Sequence, residues 1–174
     1  YTKPDGTAPQ LGDADDGRLH RLTSIARVSA AAESSREFTD HRYLLAVGGV
    51  LFSRRDWHRA ADDQLEEMIW LLSRTTSPEP HDGRQRVTSK AFPTGGYYIM
   101  RNEDAYMIVD CLRDAPHSPS GHRHNSRLSF EVAVSGRTYL VDPGTFLYTA
   151  SPEWRNRFRG TSYHNTIATD GKEM

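Results

Sequence analysis

Residues 121–142 read GHRHNSRLSFEVAVSGRTYLVD, and this stretch decides the class of fold. Leu128, Phe130, Val132 and Val134 alternate with Ser129, Glu131 and Ala133, the period of two expected of a half-buried strand. Ser135-Gly136 then forms a two-residue turn into a returning strand, Arg137–Asp142. In that hairpin Val134 pairs with Arg137, and Asp142 falls opposite Ser129, back toward His122-Arg123-His124. Ser129 and His124 are an odd number of positions apart, so a regular strand aims them at opposite faces. A shared site needs a bulge or bend around Asn125-Ser126-Arg127.

Working outward, Gly96–Met100 and Ala105–Val109 flank Asn102-Glu103-Asp104 as a second hairpin, and Asn165–Thr169 is read as a last strand. Upstream the period changes. Leu19 to about Ala32 and Phe38–Phe52 read as helices, the second with Tyr43, Leu44, Val47, Val50 and Leu51 on its apolar face and weakened by Gly48 and Gly49. A third helix starts at Asp63 and Glu66, with Leu65, Met68, Ile69 and Leu72 at helical spacing. Residues 73–86, SRTTSPEPHDGRQR, are polar and carry two prolines and a glycine. The expected class is therefore α+β: a helical part over residues 1–73, a linker over 74–86 and antiparallel strands over 87–174.

Composition excludes some functions. The chain has 174 residues and a net charge of -1, from 22 basic and 23 acidic residues, so no global field selects nucleic acid or an anionic membrane. No apolar run approaches the ~20 residues that span a bilayer. Cys111, the single cysteine, can form no internal disulfide and reads as a core residue of its strand. The chain opens at Tyr1 with no leader-like segment, so any signal peptide is expected to lie outside it.

The residues that carry chemistry are few. Two histidines two apart in an extended segment point the same way, so His122 and His124 reach one site. With Asp142 at a strand end and His164 further on, imidazoles and a carboxylate make the ligand set of zinc. Spacing alone leaves open whether His122 belongs to that set. A cupin barrel is the rival metal scaffold, but Glu131 lies too far past His124 and the helical half is foreign to it. Arg155, Arg157 and Arg159 alternate with Asn156 and Phe158; an extended backbone would align them as a row for carboxylate or sulfate, or as a solvated edge. Trp154, able to stack on a sugar, stands beside them. Gly12–Arg18 (GDADDGR) invites a calcium reading, but its glycine falls one position early; an acidic turn capping the Leu19 helix accounts for it better.

In order, the His-x-His block leading into Leu-Ser-Phe, Asp142-Pro143-Gly144-Thr145 with the following Tyr148, the arginine-rich segment and His164-Asn165-Thr166 resemble the heparinase II/III family of polysaccharide lyases. The resemblance extends to the Gly12 loop and to Phe92-Pro93 with Gly95-Gly96-Tyr97. It implies the C-terminal end of an incomplete α/α toroid followed by part of a large antiparallel β-sandwich. It also implies zinc held by His124, Asp142 and His164, His122 as a catalytic histidine, and Arg157, Arg159 and Tyr148 on the substrate. The implied reaction is β-elimination in a uronic-acid-containing, anionic polysaccharide, in a periplasmic or secreted protein, with a cytoplasmic one left open. The family's catalytic tyrosine and Asn/His come from the upstream toroid, and neither Tyr1 nor Tyr43 matches them. The chain is thus expected to need the rest of its own polypeptide and to be a poor enzyme alone. Related sequences often carry Asp where this one has Ser126. A non-catalytic polysaccharide-binding or assembly protein on the same scaffold is the alternative.

Overall fold

The computed structural model describes residues 1–13, 22, 40–61, 65–73, 87–112 and 121–173. The expected Leu19 helix, the Asp63 cap and the 74–86 linker lie outside them. Helices come first: α1 (Arg42–Leu51), α2 (Arg55–Ala60) and α3 (Glu66–Leu72). Five strands follow, β1 (Lys90–Phe92), β2 (Tyr97–Arg101), β3 (Ala105–Asp110), β4 (Phe130–Val134) and β5 (Arg137–Leu140), in one antiparallel sheet of order β1-β2-β3-β4-β5. The segregated α+β order thus holds. After the sheet come α4 (Pro152–Arg159) and a 3-10 turn, Thr161–Tyr163. Among the described residues no helix is long and apolar enough to cross a membrane.

The helices share a small core of Ala46, Ala61 and Met68, with Leu45, Val47, Val50, Leu65 and Leu72 against it. The face of α1 is turned from the expected one, because Leu44 and Leu51 are exposed. The two glycines that weaken the helix have a packing reason. A Cβ on Gly49 would lie 2.8 Å from the backbone nitrogen of His58, and one on Gly48 would lie 3.1 Å from the Trp57 ring. Their absence of side chain is what lets α2, which has no clear sequence signal, lie against α1.

The β2–β3 hairpin and the Val134–Arg137 pair occur as expected. Past Ala133–Thr138 the register slips, and Val132 pairs with Leu140. The buried face of β4 is the reverse of the apolar alternation. Ser129, Glu131 and Ala133 are buried, while Leu128 and Val134 are exposed. The cause lies far away in sequence, since the first eleven residues cross this face. Lys3 Nζ sits 3.0 Å from Glu131 Oε2 in a buried ion pair, and the Gln10 N–H donates to Glu131 Oε1 at 2.7 Å. Tyr106 donates its hydroxyl to the Tyr1 carbonyl, and Leu11 packs on the cluster of Ile99, Tyr106, Ile108 and Ala133. Cys111 stands one residue beyond β3 and is half-buried.

Two expectations on local structure fail. Residues 165–169 form no strand: Thr169 makes an isolated bridge with Lys172, and the Asn165 side chain instead donates to the carbonyls of Phe130 and Val141. Residues 155–159 are helical rather than extended. Pro152 stands at the start of α4, where its missing N–H costs nothing, and Glu153 opens the first turn while Arg157 and Arg159 close the last.

Candidate functional site

The loop that carries the histidines is held by the end of β3. The Asp110 N–H donates to the Ser129 carbonyl at 2.9 Å, and the Leu128 N–H donates to the Asp110 carbonyl at 2.6 Å. Ser126 gives its hydroxyl to Asp110 Oδ2 at 2.9 Å. Leu128 adopts φ 62°. This is the bend that the parity of Ser129 and His124 requires.

Beyond it His124, Asp142 and His164 come together, all buried, each offering a ligand atom within 4.8 Å of the others. Asp142 follows β5. Its Oδ1 accepts the Gly144 N–H at 3.1 Å, where φ +63° suits only glycine without strain. Its Oδ2 accepts the Ser129 hydroxyl at 3.0 Å and faces His164 Nδ1 at 2.8 Å. His164 is delivered by the 3-10 turn, its N–H returning to the Thr161 carbonyl. The His124 ring stands 5.3 Å from that of His164. His124 Nδ1 and His164 Nε2 are buried with no hydrogen-bond partner. Unpartnered buried nitrogens carry the full cost of desolvation. Two of them beside a carboxylate fit a bound cation such as zinc. Burial, above all, lowers the His124 pKa, and the charge of His164 adds to this against the bond from Asp13. The neutral imidazole that binds metals is the favoured form.

Next to this cluster lies an exposed shelf. The His122 side chain is 73% exposed; its Nδ1 is 3.1 Å from the Tyr148 hydroxyl, and the two rings are parallel at 5.7 Å. The Arg155 guanidinium lies over the Tyr148 ring, 4.7 Å from its centroid, and donates to the Gly121 carbonyl at 2.9 Å. His122, Tyr148 and Arg155 thus form one surface.

The helical form of α4 separates the three arginines. Arg155 and Arg159, four apart, share a side. Arg159 Nε donates to the Arg123 carbonyl at 3.0 Å, while its own carbonyl accepts the Asn125 N–H at 2.8 Å. Arg159 therefore grips the chain on both sides of His124. Arg157 points elsewhere, paired with Glu153 at 2.8 Å and lying over Trp154. Glu173 braces the same region by accepting from the Thr161 N–H and the Asn125 side chain.

One residue of the site has no counterpart in the sequence reading. Asp13, with a side chain 3% exposed, places Oδ1 2.8 Å from His124 Nε2 and Oδ2 3.3 Å from His122 Nδ1. Thr145 donates to Oδ1 at 3.3 Å, and Arg155 Nη2 lies 3.7 Å from Oδ2. Burial would raise the Asp13 pKa, but the His124 bond and charge, Thr145 and Arg155 outweigh it and hold the carboxyl below its ordinary value. The acidic Gly12–Arg18 loop drew attention as a failed calcium motif and as part of the family resemblance, with no role for Asp13 in either. No local spacing could have linked it to a histidine more than a hundred residues on.

The sequence pattern of the heparinase II/III-like C-terminal domain matches residues 84–174. A heparin-sulfate lyase of Pedobacter heparinus is 31% identical over 101 residues, covering 53% of this chain and 15% of the relative. Among solved structures, the fold is similar to a heparan sulfate lyase of the same organism (TM-score 0.61, 20% identity). It is also similar to a heparinase III (TM-score 0.62, 23% identity). Each comparison covers 99% of this chain and 22% of the other, so the chain spans about a fifth of these structures. The cupin alternative falls with the match. This chain, carrying that C-terminal domain over half its length, belongs to the heparinase II/III-like family of polysaccharide lyases.

Proposed function

We propose that the chain is the part of a polysaccharide lyase that presents His122 to an anionic polymer, for β-elimination beside a uronic acid. The observation that carries the reading is the exposed His122 on the Tyr148–Arg155 shelf, next to a buried His124–Asp142–His164 cluster with two unpartnered imidazole nitrogens. Family membership supplies the reaction class, and the relatives named for heparin and heparan sulfate point to a glycosaminoglycan-like substrate.

In this reaction the C5 proton leaves, negative charge builds on the uronate carboxyl, the C4–O bond breaks, and a C4–C5 double bond remains. The leaving oxygen takes a proton from an acid. A C5 proton is weakly acidic, so neutralising the growing carboxylate charge is the main requirement. His122, with Nδ1 engaged and Nε2 on the open side, takes the C5 proton or pairs with the carboxylate. Arg159 and Tyr148 contact the substrate, the geometry adds Arg155, and Arg157, paired with Glu153 and lying over Trp154, contributes least. Zinc bound by His124, Asp142 and His164 would supply a rigid anchor for the loop bearing His122. The helical part over residues 1–73 belongs to a toroid and residues 87–174 to a β-sandwich, joined by the 74–86 linker. The remaining catalytic tyrosine and Asn/His are contributed by the rest of the polypeptide. A periplasmic or secreted protein meets such polymers.

The test is to incubate the full-length protein with glycosaminoglycans, alginate and bacterial capsule polymers and follow the ultraviolet absorbance of the 4,5-unsaturated product. Absorbance should rise with at least one polymer and vanish in His122→Ala with zinc content kept. Binding without cleavage of any polymer would favour the non-catalytic reading instead.

A further inference from the structure

We infer that Asp13 is a positioning residue whose single carboxylate fixes the tautomers of both His122 and His124, making one ring ready for substrate and the other for metal. The inference rests on the lyase reading for His122 and extends it to a residue more than a hundred positions away. An ionised carboxylate can only accept. His124 Nε2, 2.8 Å from Asp13 Oδ1, must then carry the proton, which leaves the lone pair on Nδ1. That is the nitrogen found buried without a partner, beside Asp142 and His164.

The same logic applies to the other oxygen. Oδ2 is buried, lacks a hydrogen bond of good geometry, and lies 3.3 Å from His122 Nδ1. A proton on Nδ1 faces both this carboxylate oxygen and the Tyr148 hydroxyl 3.1 Å away, which then accepts, and the lone pair is left on Nε2. Histidines in sites of this kind depend on such an orienting partner.

Asp13 is well placed to hold this geometry. Its own N–H donates to the His122 carbonyl at 3.0 Å, so the loop is tied to His122 through backbone as well as side chain. Gly12 before it has φ +74°, and a Cβ there would meet the same carbonyl at 3.0 Å. Thr145 and Arg155 hold the carboxylate from two further directions. An asparagine in its place keeps the shape but presents an NH2 donor to one of the two rings.

The experiment uses full-length, zinc-loaded protein. In Asp13→Asn, zinc affinity in chelator competition should fall roughly ten- to hundredfold. Turnover should drop about tenfold or more, with the Michaelis constant little changed. Asp13→Glu, which keeps the acceptor, should restore part of both. Nitrogen-15 shifts of the wild-type imidazoles give an answer even if the variants fail to fold: His122 should carry its proton on Nδ1 and His124 on Nε2. The opposite tautomers, or an Asn variant equal to wild type in zinc affinity and turnover, would overturn the inference. A His122→Ala protein that still cleaves would overturn the catalytic role proposed for His122 and leave the tautomer result to stand on its own.

Discussion

His164 Nδ1 lies 2.8 Å from Asp142 Oδ2, and neither side chain has any solvent exposure. Asp142 also accepts from the Ser129 hydroxyl and the Gly144 N–H. Removing such a carboxylate strands three donors, and an orphaned buried donor costs ~1–3 kcal/mol. Asp142→Ala should therefore lower the unfolding free energy of chelator-treated protein by roughly 3 kcal/mol in denaturant titrations. An unchanged midpoint would show that the cluster contributes nothing to folding without metal.

Metal removal gives a second expectation. Full-length protein purified without chelator should hold about one zinc per chain, and His124→Ala and His164→Ala should each lose it by elemental analysis. Stripping the wild type should lower its melting temperature, and zinc should restore it. Stoichiometric zinc surviving in both variants would remove these residues from the ligand set.

The arginines should differ. Arg155 lies on the His122 shelf and Arg159 holds the Arg123–Asn125 chain, so replacing either by Ala should cost about tenfold or more in kcat/KM. Lys should recover only part, because it loses the planar fork. Arg157, already paired with Glu153 and stacked on Trp154, should show the smallest loss. Equal losses at all three would mean that the helix as a whole lines the polymer track.

Acid should act through Glu173. The Thr161 N–H, the largest cause, and then the Asn125 amide hold its carboxyl below the ordinary value of 4.5. A depressed folded pKa adds stability above the unfolded value, and that stability is lost as pH falls through the folded value. Glu173→Gln should therefore melt below wild type at neutral pH, and the gap should close below the ordinary carboxyl range. A gap that persists in strong acid would assign the effect to shape rather than charge.

Local patterns carried much of the fold. The hairpin at Asn102–Asp104, the Val134–Arg137 pair and the helix around Met68 rest on contacts between near neighbours, which a period of two or of 3.6 reveals. The buried face of β4 does not, because it is decided by Lys3 and Gln10 meeting Glu131 from the start of the chain. The α4 helix was legible in principle, since Pro152 and the Glu153–Arg157 spacing mark it, but the alternating arginines favoured a strand reading. His124, Asp142 and His164 come together as the family resemblance implied, in a group that could hold a metal ion. Asp13 was hidden because its partners are non-local and its own loop looks like any acidic turn.

The crossing of the first residues over the sheet also sets an order of events. Lys3–Glu131, Gln10–Glu131 and Asp13–His124 close loops of more than a hundred residues, and such long closures bear their entropic cost before their contacts repay it. The hairpins can form early and by themselves. The histidine site is assembled only once the beginning of the chain has returned to the sheet. These strands would thus form before the chemistry does, and a cut between residue 13 and the helices would disconnect Asp13 from the two histidines it holds.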